Sequence, residues 1–216
     1  AREQRIIANK ISIITPLCDG NLSYLKAAYE SVRAQTYENF EWCIACDNIQ
    51  DSELLNYTRT FLARQKNINI TFNSRNCGIA ATTNLAVMIS SGSILAFLDY
   101  DDELDSNALT EIMNIFKSFD VDIVYTDEKI KRMDGKEGEV HIKPNYSPHY
   151  LRSVNYVCHL LAVRRKLFEK VGGMREGFEG SQDHDLILRL TAESNKIYHI
   201  PRSLYHWRIH PDSFSS

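Results

Sequence analysis

Residues 77–99 read CGIAATTNLAVMISSGSILAFLD, and the way this stretch divides decides the fold. Its first part, 77–90, reads as a helix opened by Gly78. Its second part, SILAFLD (93–99), is a short apolar run of strand length. Outward from it the same alternation recurs. KISIITPL (10–17) is a β-branched run that reads as a strand. SYLKAAYESVRAQTY (23–37) sets Leu25, Ala28 and Val32 at helical spacing. FEWCIACD (40–47) reads as a strand, and DSELLNYTRTFLARQ (51–65) as a helix with Asp51 or Ser52 as its N-cap. INITFN (68–73) is a strand, and DSNALTEIMNIFKSF (105–119) a helix starting near Asp105 or Ser106. The first 120 residues thus alternate strand and helix four times. That predicts an α/β fold with a Rossmann-like, mostly parallel central sheet flanked by helices. Ligands of such sheets bind beyond the carboxyl ends of the strands. Thr15-Pro16, Asp47, Asn73–Asn76 and the acids of LDYDD all fall at such ends, so four strand ends present polar residues to one rim.

After Asp120 the pattern changes. DIVYTDEKI and a DGKEGEV turn suggest a hairpin, KPNYSPHY (143–150) a proline-bounded loop, and YVCHLLAV (156–163) a strand. RRKLFEKVGG reads as a short helix ended by Gly172-Gly173. QDHDLILRLTAES (182–194) reads as a helix, and IYHIP and LYHWRIH as two late strands. No linker composition separates the halves. Residues 1–216 are therefore expected to form one domain, with a nucleotide-binding half (1–120) and an acceptor or catalytic half (121–216).

A chain of 216 residues with 44% hydrophobic and 25% charged residues can bury a full core unaided. Its formal net charge of -3 argues against nonspecific nucleic-acid binding. No apolar run approaches bilayer length. The first residues, AREQRIIANK, lack the apolar core of a secretory signal. They also lack an initiator Met, and the expectation is a domain excised from a longer chain. Five cysteines are present, and Cys43-x-x-Cys46 has no second pair to complete a zinc site. On a strand the two thiols would point to opposite faces, so reduced, structural cysteines of a cytoplasmic protein are expected. Association with the inner face of a membrane would come from regions outside this sequence or from the acceptor.

Three stretches carry chemistry. In ILAFLDYDDELD (94–105), Asp99 and Asp101 would share one face of a strand end and could share a hard cation such as Mg²⁺ or Mn²⁺. A solvated acidic loop leading into a helix fits the same residues. In EGSQDHDLILRL (179–190), Asp183 and Asp185 open a helix, where the dipole keeps a carboxylate ionised. By itself such an acid reads as a plain first-turn residue, and it is also ionised as a general base must be. In LYHWRIHPDS (204–213), His206, Arg208 and His210 would line one strand face, suited to a metal and a diphosphate. An exposed polar strand edge is the alternative. Phosphate-binding glycine motifs and a G-x-S-x-G nucleophile elbow are absent.

Together, SIITPLCDGNLSYLKAAYESVRAQTYENFEW, NCGIAATTNLAVMISSGSILAFLDYDDEL, VGGMREGFEGSQDHDLILRL and YHWRIHPDS resemble the inverting nucleotide-sugar glycosyltransferases of the GT-A fold, family-2 type. The KPNYSP…LRSVNYVCHLLAVRR stretch resembles the subset that builds bacterial surface polysaccharides such as O-antigens, rhamnosyltransferases included. The resemblance implies roles residue by residue. Thr15, Pro16 and Asp47 would hold the base and ribose of a UDP or dTDP donor, with Asn76 as a further nucleotide contact. Asp99 would face the ribose, and Asp101 would ligate Mn²⁺ or Mg²⁺ on the diphosphate. Asp183 would be the catalytic base. Arg208 and His210 would contact the diphosphate or the metal, with His206 as an alternative metal ligand. The acceptor would be a hydroxyl of a glycan or lipid-linked glycan. The sequence departs from the family where Cys46-Asp47 replaces a common Asp-Asp pair, and where Gln182 precedes Asp183 in place of Glu. A non-catalytic nucleotide- or glycan-binding domain of a larger synthase is one alternative. A nucleotidyltransferase is another, disfavoured because TPLCDGNLSYL carries no basic residue before Lys26.

Overall fold

The computed structural model describes residues 6–132 and 137–210. The strand-helix alternation of the first half is realised almost as read. Strand β1 (Ile7–Leu17), helix α1 (Leu22–Arg33), β2 (Phe40–Asp47), α2 (Ser52–Thr60), β3 (Ile68–Asn73), α3 (Gly78–Met88) and β4 (Gly92–Phe97) follow in order. The Asp51 side chain caps α2, accepting from Leu54 N, as a β-region Asp before a helix does. The helix ends at Thr60, earlier than its pattern suggests, and one 3₁₀ turn (Leu62–Arg64) completes it.

The second half contains the two-residue β5 (Glu103–Leu104), α4 (Ala108–Ser118), β6 (Ile123–Lys131), β7 (Glu137–His141), α5 (Pro148–Ser153), β8 (Leu161–Arg164), α6 (Arg165–Lys170), α7 (Gln182–Glu193) and β9 (Ile197–Arg208). One sheet runs in the order β3-β2-β1-β4-β8-β6-β9-β5, with β7 also paired to β6. Strands β3, β2, β1 and β4 are mutually parallel. Beyond β4 the sheet is mixed, because β8 runs antiparallel to both β4 and β6 while β6 and β9 are parallel. The β6–β7 pair is the expected hairpin arm; its turn lies outside the described residues.

Three expectations fail for local reasons. Residues 156–160 are not strand: the carbonyls of Val157 and His159 accept from the Lys143 ammonium instead of from a neighbouring strand. The two late strands are one, because the sheet bulges around the proline: Thr126 pairs with Ile200 and Asp127 with Ser203, leaving Pro201-Arg202 unmatched. The Pro-bounded 143–150 loop ends in the start of a helix, with Ser147 as its N-cap and Pro148 in the first turn.

Two apolar clusters cover the two faces of the sheet. One joins Ile11, Ile13, Trp42 and Ile44 to Leu25 of α1, Leu54 of α2 and Ile112 of α4. The other joins Ile14, Cys43, Ala45 and Leu95 to Val87 of α3, Leu151 of α5, Leu167 of α6 and Leu186 of α7. Alternation along β2 therefore puts Cys43 in one cluster and Cys46 in the other. Both are free, and burial pushes each thiol up to about 12. This is the structural role expected of the C-x-x-C pair.

Candidate active site

A cleft opens beyond the carboxyl ends of β1 and β4, lined by Pro16, Phe97, Asp99, His159, Gln182 and Asp183 among others. Asp99 and Asp183 thus line one space, although 84 residues separate them in sequence. Asp183 lies in the first turn of α7. Its Oδ1 accepts from His184 N at 2.8 Å and its Oδ2 from Asn155 Nδ2 at 2.7 Å. Two residues on, Asp185 is buried and clasped by Arg175 and Arg189. Burial pushes it up, but the two guanidiniums outweigh that and hold it below the usual carboxylate range. The two acids of the QDHD stretch are therefore divided, one bound into the wall and one presented to the cleft.

The DYDD acids are not on a strand. Strand β4 ends at Phe97, and Asp102 N donates to Asp99 O at 3.2 Å, closing a turn. The strand-face argument for Asp99 and Asp101 therefore fails, and the turn distributes the carboxylates instead. Asp99 faces the cleft. Asp101 pairs with His210 Nε2 at 2.8 Å. Asp102 is 2% exposed and accepts from Tyr205 Oη at 2.6 Å and Arg208 N at 2.7 Å. Burial and then the neighbouring Asp99 push Asp101 up, against the opposing pull of His210. Burial and then Asp101 push Asp102 well up. The ring of Tyr100 fills the space over Gly20, where an added Cβ would stand 2.2 Å from the phenol oxygen. That contact fixes the turn against the β1–α1 loop.

The expected His206-Arg208-His210 row is split, since β9 ends at Arg208. Arg208 Nε donates to Asp101 O at 2.8 Å and its Nη2 to Glu103, bracing the acidic turn while the guanidinium stacks over Tyr24. His210 reaches Asp101 and packs near Tyr24. His206 sits within the sheet, opposite Glu103 of β5 and Lys129 of β6, and is not among the residues that meet Asp101 or Asp99. Thr15 is also corrected. Its hydroxyl is fully buried between Leu98 O and Trp42 Nε1, leaving no free face for a nucleotide. Asp47 is 5% exposed and its oxygens accept from Cys77 N and Gly78 N at 3.0–3.1 Å. It caps α3 from another strand, as a carboxylate at a helix N-terminus should. Asn76 is exposed beside it and accepts from Gly78 N. Pro16 lines the cleft as expected.

Residue-by-residue reasoning missed His159, Glu128 and Lys143. His159 lies 3.4 Å from Asp99 and 3.4 Å from Glu128, stacked on Tyr205. Its Nδ1 is buried without a well-directed hydrogen bond. Burial alone would lower its pKa, but contact with Asp99 and Glu128 overrides this and raises it well above the usual histidine range. Lys143 Nζ donates to Glu128 at 3.0 Å. His159 and His210 of the second half thus each meet an acid of the first, Asp99 and Asp101. The one available sequence signal was a histidine inside the apolar run YVCHLLAV.

Two donor sets suit a hard divalent cation. One atom each from Asp99, Asp102 and His159 lie within 4.8 Å of one another. Asp101 with His210 forms the second. Carboxylate oxygens retain lone pairs beyond the bonds described, so both sets fit Mg²⁺ or Mn²⁺ by donor chemistry.

Residues 12–172 match the family model described as glycosyl transferase family 2. The chain belongs to that family. The match ends before Asp183, Arg208 and His210. The domain is 36% identical over 199 residues to the O-antigen biosynthesis protein RfbC of Myxococcus xanthus, covering 92% of this chain and 16% of that protein. It is 35% identical over 206 residues to the uncharacterized protein y4gI of Sinorhizobium fredii, covering 94% of this chain and 23% of that protein. The chain therefore spans less than a quarter of these curated relatives. Among solved structures, S. aureus TarS 1–349 in complex with UDP-GlcNAc aligns with a TM-score of 0.78 at 17% identity, covering 96% of this chain and 61% of that one. The mannosyltransferase PcManGT of Pyrobaculum calidifontis, in complex with GDP-Man and Mn²⁺, aligns with a TM-score of 0.72 at 13% identity, covering 94% and 58%. These two share the fold. Among the described residues no helix is long and apolar enough to cross a membrane.

Proposed function

We propose that this family-2 domain transfers a sugar, with inversion, from a nucleoside-diphosphate donor to a hydroxyl of a glycan or lipid-linked glycan in bacterial surface polysaccharide synthesis. The observation that carries this reading is the placement of Asp99 and Asp183 on one cleft at the carboxyl ends of the strands. Pro16 and Asp99 would contact the nucleotide, with UDP or dTDP the expected donor class. Asp101 and His210 would hold Mn²⁺ or Mg²⁺, which when bound supplies Lewis-acid stabilisation of charge on the departing diphosphate. Asp183 presents a carboxylate that is hydrogen-bonded but not ion-paired, as a base requires. It would take the proton of the acceptor hydroxyl as the oxygen attacks the anomeric carbon opposite the leaving diphosphate, and one such displacement inverts that carbon. Arg208 would act indirectly by holding the acidic turn in place. Cytoplasmic location is proposed with the donor, since nucleotide sugars are made there.

Calorimetric titration with UDP and with dTDP, each with and without Mn²⁺, tests the donor side. Manganese-dependent binding of one nucleotide, lost in Asp101→Ala, is expected. Equal binding by that variant removes Asp101 from the site. Failure of both nucleotides to bind removes the donor assignment.

A further inference from the structure

Asn155 lies in the link between α5 and β8, and its side chain makes two bonds of different kinds. Its Nδ2 donates to Asp183 Oδ2 at 2.7 Å, and its Oδ1 accepts from Cys158 N at 3.4 Å. Its own carbonyl accepts from Cys158 Sγ at 3.0 Å. The amide therefore joins the candidate base to the short turn 155–159. The last residue of that turn, His159, forms the ion pair with Asp99. One five-residue link touches the base at one end and the donor-side acid at the other.

The packing of α5 on α7 does not depend on this bond. His184 Nε2 meets Leu151 O at 2.6 Å, and Leu151 and Leu186 share one apolar cluster. What the Asn155 bond does fix is the Asp183 side chain, which otherwise has three staggered wells to choose from. The type of residue matters as much as the place. Asp185, two positions away, is held by two arginines and kept below the usual range. A neutral amide orients a carboxylate without adding a full positive charge that would weaken it as a base.

We propose that Asn155 is a positioning residue for the base, selecting the Asp183 rotamer that faces the cleft and setting its spacing from Asp99. This rests on the assignment of Asp183 as the base. Two substitutions separate the bonds. Asn155→Ala removes both. Asn155→Asp keeps an acceptor for Cys158 N, and so the turn, but replaces the donor to Asp183 with a like charge.

The test follows nucleoside-diphosphate release from UDP-GlcNAc, dTDP-rhamnose and GDP-mannose with Mn²⁺. Water takes the place of the acceptor: its oxygen bonds to the anomeric carbon, the bond to the phosphate breaks, and its proton passes to Asp183. Wild type, Asp183→Asn and both Asn155 variants are compared with the affinity of each for the corresponding nucleoside diphosphate. The expected result is a fall in kcat of roughly 10–100-fold in both Asn155 variants, with KM for the donor and nucleotide affinity unchanged. Loss of turnover in Asp183→Asn with a normal kcat in Asn155→Asp overturns the positioning role and leaves the base assignment standing. A parallel loss of nucleotide affinity in Asn155→Asp also overturns it, since the residue would then be shaping the cleft as a whole. Normal turnover in Asp183→Asn, or none of any donor in wild type, removes the base assignment and this inference with it.

Discussion

At the amino ends of β1, β2, β3 and β4, one carboxylate meets a full set of donors. Glu41 accepts from Lys10 at 2.8 Å, Ser12 at 2.7 Å, Asn69 at 3.0 Å and Gly92 N at 3.1 Å, and also from Ser91 N. Burial works against its ionisation, yet these donors outweigh it and hold the group below the usual range. At the carboxyl ends of the same strands, Asp99, Asp101 and Asp102 crowd one turn, and Asp101 and Asp102 are pushed above it. One sheet therefore carries a carboxylate held below the usual range at one end and two held above it at the other. The difference separates a carboxylate that builds the protein from carboxylates kept ready for something else.

The largest expected effect is at the open end. Asp183→Asn should slow transfer by about 10²–10⁴-fold, the range lost with a general base, while thermal stability and nucleotide affinity stay near wild type. A comparable loss of stability would erase the distinction between the two ends at this residue. Next comes the closed end. Glu41→Ala strands a half-buried lysine and several donors, and should cost about 3–5 kcal/mol, or about 6–20 °C in Tm for a chain of this size, with nucleotide affinity unchanged in the folded protein. Acid titration sharpens the same point. Contact with His159 and Lys143 outweighs burial at Glu128 and holds it at about 2, below the ordinary 4.5, and Glu41 is lowered too. Both contributions are complete above about pH 4.5 and are lost as pH falls through the lowered values. Chemical denaturation should therefore show stability falling below pH 4.5, with a smaller fall in Glu41→Ala.

The smallest effect has the opposite sign. Asp101→Asn removes one of three crowded charges while keeping an acceptor for His210. It should raise Tm by about 1–4 °C, equivalent to roughly 0.5–1 kcal/mol, and abolish manganese-dependent nucleotide binding. A fall in Tm would mean the acids are compensated fully by the chain's own cations.

That compensation shows where the sequence was legible. FEWCIACD and INITFN became strands over the residues read: the first is a central strand buried on both faces, and the second is an edge strand whose Ile68, Ile70 and Phe72 alternate with polar residues. The cleft could be anticipated because strand ends in an α/β alternation share a rim. The acids of 99–102 could be found but not oriented, since a turn rather than a pleat directs them. His159, Glu128 and Lys143 were not found, because their meeting depends on β6, β8 and a non-strand segment converging in space. In the sequence Glu128 stands in the polar run TDEK and Lys143 beside a proline, and no spacing links either to His159. Arg208 was found, but its bracing of Glu103 is a tertiary fact that spacing does not carry.

The contact between Tyr100 and Gly20 has a consequence for inheritance. The aromatic ring occupies the volume that any side chain at position 20 would need, although the two residues belong to different loops. A side chain gained at 20 would have to displace the Tyr100 ring from this position, so the two positions are coupled through one shared volume. The middle residue of Asp-Tyr-Asp, which a motif writes as any amino acid, here has room for its ring because a glycine stands eighty positions earlier.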